Sequence, residues 1–273
     1  MKTLVNSKES SQISAHDRGL LYGQSVFETI AIRDGVPCLL EQHLARMQLG
    51  CSVLGIPFDE APLRDDISAL ASNQAKAVIR ASLTMGEGGR GYLNPISPSA
   101  SRVIALHDYP KHDTHYWERG INLGLVDVRL SNQPLLAGIK HGNRLEQIVA
   151  RNQWQASWQE ALLMDQAGNV IEATQSNIFV IKEGQLITPE LNLCGVNGVI
   201  REYLLKASHK LGLSSQTVSL SVADIEAADE VFVCNSVIGL WPINSFKSRS
   251  YSTFKISHKI LKYMLKNEVI PNY

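Results

Sequence analysis

Ile139-Lys140-His141-Gly142-Asn143-Arg144 sets one lysine between an apolar run, residues 121–130, and a helix that starts near Arg144. Leu135, Leu136, Ala137 and Ile139 precede the amine, and burial among them would favour its neutral, nucleophilic form. A second stretch, Ile171-Glu172-Ala173-Thr174-Gln175-Ser176-Asn177-Ile178-Phe179, reads as strand and carries a single carboxylate in uncharged surroundings. An amine that can form a Schiff base and a separate carboxylate that can keep a pyridine nitrogen protonated are together what pyridoxal-phosphate chemistry requires. Arg46, three residues after His43, is a permanently charged fork suited to a phosphate. Gly195-Val196-Asn197-Gly198 precedes a helix, where backbone N–H groups and the positive end of the dipole can bind one. Each has a plainer reading alone: a solvated lysine, an outward strand glutamate, a surface arginine, a turn with an N-cap. One ligand accounts for all four.

The elements that hold these residues are legible from hydropathy and turn signals. Residues 25–33 and 36–40 flank Asp34-Gly35 as a hairpin. Leu40, Leu44, Met47, Cys51 and Leu54 recur at helical spacing, which places Arg46 on a helix. The pattern predicts a second helix over 62–73, with Leu63, Ile67 and Leu70 inward and Pro62 in its first turn. Ile79, Ala81, Leu83 and Met85 alternate with polar residues as a half-buried strand, with 102–109 as its partner across the loop 86–100. Tyr109-Pro110-Lys111-His112-Asp113-Thr114 breaks the pattern and reads as a linker. It divides a small domain, 1–110, from a larger one, 111–273, that carries the lysine, with a ligand cleft expected between them. In the larger part, a helix after Arg144 is expected to turn Leu145, Ile148 and Val149 inward. Strands follow at 161–164, 170–181 and 230–235, with helices near Gly198 and at 255–266. The fold class is α+β.

Composition removes several alternatives. The 273 residues hold 26 basic and 26 acidic side chains, so no net field favours nucleic acid or an anionic membrane. No apolar run approaches the roughly 20 residues that span a bilayer, and Met1-Lys2-Thr3-Leu4-Val5-Asn6 lacks a signal-peptide core. Cys38, Cys51, Cys194 and Cys234 are scattered, as expected of reduced thiols in a cytoplasmic protein. Gly86-Glu87-Gly88-Gly89-Arg90-Gly91 follows a strand, but Tyr92-Leu93-Asn94-Pro95 cannot open a helix, so the dinucleotide fingerprint fails. His107, His112, Asp113, His115 and Glu118 form a cluster of possible metal ligands, yet Pro110 and the linker setting favour a solvated loop, and no metal is expected. Neither a G-x-S-x-G elbow nor a Walker A loop occurs. The expected partners are a small-molecule substrate and a second copy of the chain.

These separated motifs, in this order, resemble the fold-type IV pyridoxal-phosphate enzymes: branched-chain aminotransferases, D-amino-acid aminotransferases and aminodeoxychorismate lyases. The resemblance runs from Asp17-Arg18-Gly19 through Tyr22-Gly23-Gln24-Ser25-Val26-Phe27-Glu28-Thr29 to Trp241-Pro242-Ile243. Lys140-His141-Gly142-Asn143-Arg144-Leu145-Glu146-Gln147, with Gly89-Arg90-Gly91-Tyr92 and the Gly195–Gly198 run, looks most like the lyases. The resemblance implies a two-domain D-amino-acid aminotransferase-like architecture, pyridoxal 5'-phosphate, and a homodimer in which the neighbouring subunit completes the active site. It makes Lys140 the Schiff-base lysine and Glu172 the partner of the pyridine nitrogen. Arg46 would hold the phosphate with the amides of Val196 and Asn197, and Ser236 would add a hydroxyl. Arg129 matches an arginine near the cofactor's phenolic oxygen, and Thr29 a hydroxyl implicated in proton transfer. Glu28 stands where some lyases have the first of two threonines; Phe-Glu-Thr also occurs in D-amino-acid aminotransferase-like chains.

The implied reaction converts 4-amino-4-deoxychorismate into 4-aminobenzoate and pyruvate, a step of folate synthesis. Lys140 would take the proton from the ring carbon bearing nitrogen and Glu172 would keep the pyridinium charged. Arg90, Tyr92 and Tyr109 are candidates for meeting the two substrate carboxylates. The alternative is an aminotransferase acting on D-amino or branched-chain amino acids with the same Lys140 and Glu172. A non-catalytic relative is disfavoured by the presence of the lysine.

Overall fold

Alternating side chains at residues 25–33 and 76–84 give two long strands whose core face is apolar except at Glu28, and around them the first half of the chain folds. The computed structural model describes residues 2–272 and separates into two units. One runs to Pro110 and takes in Ile139–Asn143; the other comprises Lys111–Gly138 and the chain from Arg144 onward. Among the described residues no helix is long and apolar enough to cross a membrane.

The first unit holds β1 (Lys2–Val5), β2 (Lys8–Glu9), α1 (Arg18–Tyr22), β3 (Ser25–Arg33), β4 (Val36–Pro37), α2 (Leu40–Leu54), α3 (Glu60–Ala71), β5 (Lys76–Thr84) and β6 (Ser101–Asp108). Its sheet has the order β2-β1-β6-β5-β3-β4. Asp34 and Gly35 both have positive φ, the twist that a two-residue hairpin needs. β4 stops after two residues, shorter than expected, because Pro37 has no N–H to continue the ladder and α2 begins at Leu40. One sheet face, with Val26, Ile30, Ile32, Ile79, Ala81, Leu83 and Ile104, packs on Leu44, Met47, Cys51, Leu63, Ile67 and Leu70 of α2 and α3. The helical stripe read from the sequence is thus the core of this unit.

The lysine segment is the main departure from the expected division. Residues Ile139–Asn143 belong to the first unit although they lie far beyond the linker. The reason is backbone pairing: this short segment lies along the start of β3 as an added strand.

The second unit holds α4 (His115–Glu118), β7 (Ile121–Arg129), α5 (Leu145–Arg151), β8 (Glu160–Met164), β9 (Val170–Ala173), β10 (Asn177–Lys182), β11 (Gln185–Pro189), α6 (Val199–Ala207), β12 (Ser215–Val218), α7 (Val222–Glu226), β13 (Glu230–Asn235), β14 (Gly239–Phe246), β15 (Arg249–Ser250) and α8 (Lys255–Lys266). Its sheet runs β12-β11-β10-β13-β14-β7-β8-β9, with β15 beside β14. The 170–181 stretch divides into β9 and β10 at Thr174-Gln175-Ser176, a corner fastened by buried Glu160, which accepts from the Thr174 and Ser176 hydroxyls. The expectation for α5 is corrected: Leu145, Ile148 and Val149 are 72%, 56% and 50% exposed, and only Ala150 of the helix is buried.

Candidate functional site

Lys140 is held by its own backbone against β3. The Phe27 N–H donates to the Lys140 carbonyl at 3.0 Å, the Gly142 N–H to that of Ser25 at 2.7 Å, and Val26 bridges His141. The approach is close: a Cβ at Gly142 would come within 2.0 Å of Ser25 Oγ, so a side chain there would have to turn the serine hydroxyl aside. Alternation sends Ile139 into the core near Gly50 of α2 and Lys140 to the opposite sheet face. There the Lys140 Nζ lies 4.6 Å from the Phe27 ring centroid, and the Arg80 guanidinium carbon 3.9 Å from it. Thr29, half-buried, shares this face with Phe27 and pairs with Arg80 across the ladder. An amine and a guanidinium therefore lie over one aromatic ring, on the sheet face that also carries Thr29. Arg80 escaped the sequence reading because only the β3–β5 register brings it to Thr29.

Arg46 rises from α2 on the helix-covered side of the same sheet. Its Nε donates to Glu28 Oε1 at 2.7 Å, and its Nη2 to Oε2. His43 Nδ1 meets the same Oε2 at 2.6 Å. Burial would raise the Glu28 carboxyl, but Arg46 and His43 outweigh it and hold the pKa down at about 2. Of the residues expected at the substrate, Arg90 and Tyr92 stand exposed on the loop 86–100. Arg18 pins that loop by donating to the carbonyls of Gly88 at 3.3 Å and Gly91 at 3.0 Å, and Tyr92 lies edge-on to Tyr22. Tyr109 is not brought to them. It follows β6 beyond the Ala77–Asp108 pair, whereas the loop leaves the sheet at the Thr84–Ser101 pair. The two ends are about 23 Å apart along the strands. Tyr109 lies instead under the Lys76 ammonium, 4.3 Å from its ring centroid.

In the second unit Glu172 is 5% exposed on β9, so the outward reading does not apply. Its Oε2 accepts the Val196 N–H at 2.8 Å. The Asn197 N–H donates to the Gly138 carbonyl at 2.9 Å, so both amides expected at the phosphate are already used within the protein. Gly198 caps α6, whose first-turn N–H groups have no carbonyl one turn earlier to receive them. Asn177, which the sequence did not single out, ties this loop to the sheet: its Nδ2 donates to the Val196 carbonyl at 2.8 Å and it pairs with Cys234. Ser236 follows two residues later in the β13–β14 turn, half-buried. Glu172, Val196, Asn197 and Ser236 are thereby gathered in one region. Arg129, exposed at the end of β7, pairs with Met164. Arg144 is half-buried; burial pulls its pKa down, while Glu172 and Glu146 oppose that pull.

The residues fit pyridoxal phosphate by the chemistry of their donor set: a half-buried amine on a rigid strand, a fixed guanidinium, and a buried carboxylate.

The sequence profile of amino-transferase class IV matches residues 25–246. An aminodeoxychorismate lyase of Vibrio harveyi is 34% identical over 250 residues, covering 89% of this chain and 91% of the relative. A D-alanine aminotransferase of Listeria monocytogenes is 26% identical over 256 residues, covering 89% and 86%. The crystal structure of 4-amino-4-deoxychorismate lyase from Pseudomonas aeruginosa superposes with a TM-score of 0.94 at 37% identity, covering 98% of this chain and 100% of that one.

Proposed function

The chain belongs to the amino-transferase class IV family, and from that membership we propose that it is a pyridoxal-phosphate-dependent 4-amino-4-deoxychorismate lyase. The observation that carries the lyase reading is the likeness to a lyase over 98% of the chain at 37% identity, against 26% for the D-alanine aminotransferase. When bound, pyridoxal 5'-phosphate supplies an electron sink for the carbanion left once the ring carbon bearing nitrogen loses its proton. Lys140 would hold the cofactor through its amine and, with that amine freed, would take the proton from the ring carbon. Glu172, buried on β9, would hold a proton at the pyridine nitrogen. Arg46 and the first turn of α6 would hold the phosphate, with Ser236 adding a hydroxyl, and Arg129 would serve the phenolic oxygen. The bond between the ring carbon and the enolpyruvyl oxygen would then break, the oxygen leaving with the side chain; its methylene carbon would gain a proton from the Thr29 hydroxyl, which recovers one from Lys140, to give pyruvate. The ring, having lost its proton, is aromatic 4-aminobenzoate.

Arg80 suits a substrate carboxylate, because its guanidinium lies on the Phe27 ring beside both Lys140 and Thr29. Arg90 and Tyr92 are the further substrate groups this reading retains. The test is a product assay on the purified yellow protein with 4-amino-4-deoxychorismate. Equal amounts of 4-aminobenzoate and pyruvate are expected, and Arg80→Met should raise KM about tenfold or more through the lost charged contact. Neither product, together with conversion of the cofactor to its amine form by D-alanine or a branched-chain amino acid, would make the chain an aminotransferase.

The exposed apolar face of α5 supports a homodimer. Leu145, Ile148 and Val149 lie on one helical face, and nearby in sequence Leu135 is 78% exposed. A second copy covering this face would explain why residues spaced for burial meet no core. Ile148→Glu is expected to halve the mass seen in sedimentation velocity. A wild-type monomer, or a variant that remains dimeric, would refute the assignment.

A further inference from the structure

Glu28 and His43 are both 1% exposed, both titratable, and used by no step of the reaction above. Their placement is rigid. Glu28 lies between Phe27 and Thr29 on β3 and pairs with Ala81 of β5. α2 is pressed onto that strand, since a Cβ on Gly50 would come within 2.8 Å of Val26. His43, Arg46 and Gly50 recur at three and four residues, so one helical face brings all three to β3.

We propose that Glu28, steadied by His43, is a positioning residue that aims Arg46 at the phosphate of the cofactor. This rests on the pyridoxal-phosphate reading above. The carboxylate takes Arg46 at Nε and Nη2, and two bonds to one edge of a planar group fix where its remaining edge points. An arginine on a helix otherwise samples many rotamers, whereas an anion anchor has to be in place before its ligand arrives. His43 supplies a third bond to the carboxylate without adding a second cation. Burial lowers its pKa, against the pull of Glu28, so the neutral ring donates from Nδ1. Among the described residues its Nε2 is buried with no hydrogen-bond partner, so Glu28 is the group that orients the ring.

Stability does not account for such a cluster. A buried ion pair is often no better than apolar side chains of the same shape, because both charges lose their water. Charge and orientation also make opposite demands on the phosphate. Glu28 cancels part of the attraction of Arg46, so charge alone would have Glu28→Gln bind the phosphate more tightly. Orientation has it bind more weakly. The amide would also present an N–H to donors on Arg46 or His43.

The full-length chain, stripped of cofactor, is titrated with pyridoxal 5'-phosphate and, separately, with unphosphorylated pyridoxal, following protein fluorescence. Glu28→Gln is expected to weaken binding of the phosphorylated form about tenfold or more while pyridoxal affinity stays within about twofold. Arg46→Met should erase the preference for the phosphorylated form, and adding Glu28→Gln to it should change nothing further. His43→Asn should give a smaller loss of the same preference; if Glu28→Gln does not fold, that ratio decides. Tighter or unchanged binding of the phosphorylated form overturns the proposal, as does an equal loss for both ligands, the mark of a merely structural role. A wild-type chain that binds both ligands equally overturns it through its premise, the phosphate role of Arg46. A chain that binds neither removes the cofactor reading itself.

Discussion

Lys140→Ala should leave a colourless, folded protein with no lyase turnover. The amine is the covalent attachment point, so the yellow absorbance and its loss on borohydride reduction should vanish together. The general-base step alone accounts for about 100- to 10,000-fold in rate, and losing attachment adds to it. The fold should survive because the segment is held by backbone. The Phe27 and Gly142 N–H bonds do not involve the lysine side chain. The side chain gives up its contact with the Phe27 ring, 4.6 Å from the centroid. At about 0.5–1 kcal/mol for such a contact, thermal unfolding should move by only a few degrees. Absorbance, reduction and melting of one preparation check all three points. A variant that keeps its colour would place the attachment elsewhere.

That expectation depends on a neighbourhood only partly legible in the sequence. Periodicity was enough for α2, α3 and β5, because Leu44, Met47, Cys51, Leu63 and Ile67 are buried within a single unit. It failed at α5 for a physical reason. Leu145, Ile148 and Val149 carry the same spacing, and spacing says that a face is to be covered, not what covers it. The Asp34-Gly35 turn was plain, but the length of the strand after it was set by Pro37.

Non-local pairing was the larger obstacle. Local sequence groups residues 139–143 with the second half of the chain, because nothing local says that they lie along β3, more than a hundred residues earlier. The same limit hid Arg80, visible only through its register with Thr29, and Asn177, visible only once it reaches the Val196 carbonyl. Glu28 and His43 are fifteen residues apart, and only α2 lying on β3 makes them neighbours. Chemistry-bearing residue types could be picked out from the sequence. The side chains that orient them could not, since a positioning residue has no distinctive type, only a place.

Glu172→Gln separates those two roles within one side chain, and it should keep the cofactor while losing about 100- to 1,000-fold in kcat. Glutamine preserves the shape, and its carbonyl can still accept the Val196 N–H that Glu172 Oε2 now receives at 2.8 Å. The loop before α6 should therefore stay where it is, and cofactor affinity should fall little. What is lost is the negative charge. A neutral amide cannot favour a protonated pyridine nitrogen, and without that proton the ring accepts electrons poorly as the substrate carbon is deprotonated. The effect should fall on kcat rather than KM, because the charge matters most where negative charge develops in the transition state. Arg144 supplies an internal control. Its guanidinium is opposed by burial and supported by Glu172 and Glu146, so part of that support remains after the substitution. Bound-cofactor absorbance should report full occupancy with a changed band position, and steady-state 4-aminobenzoate formation should report the loss. Near-normal turnover at full occupancy would remove Glu172 from the pyridinium role and leave it as the anchor of the Val196 amide alone.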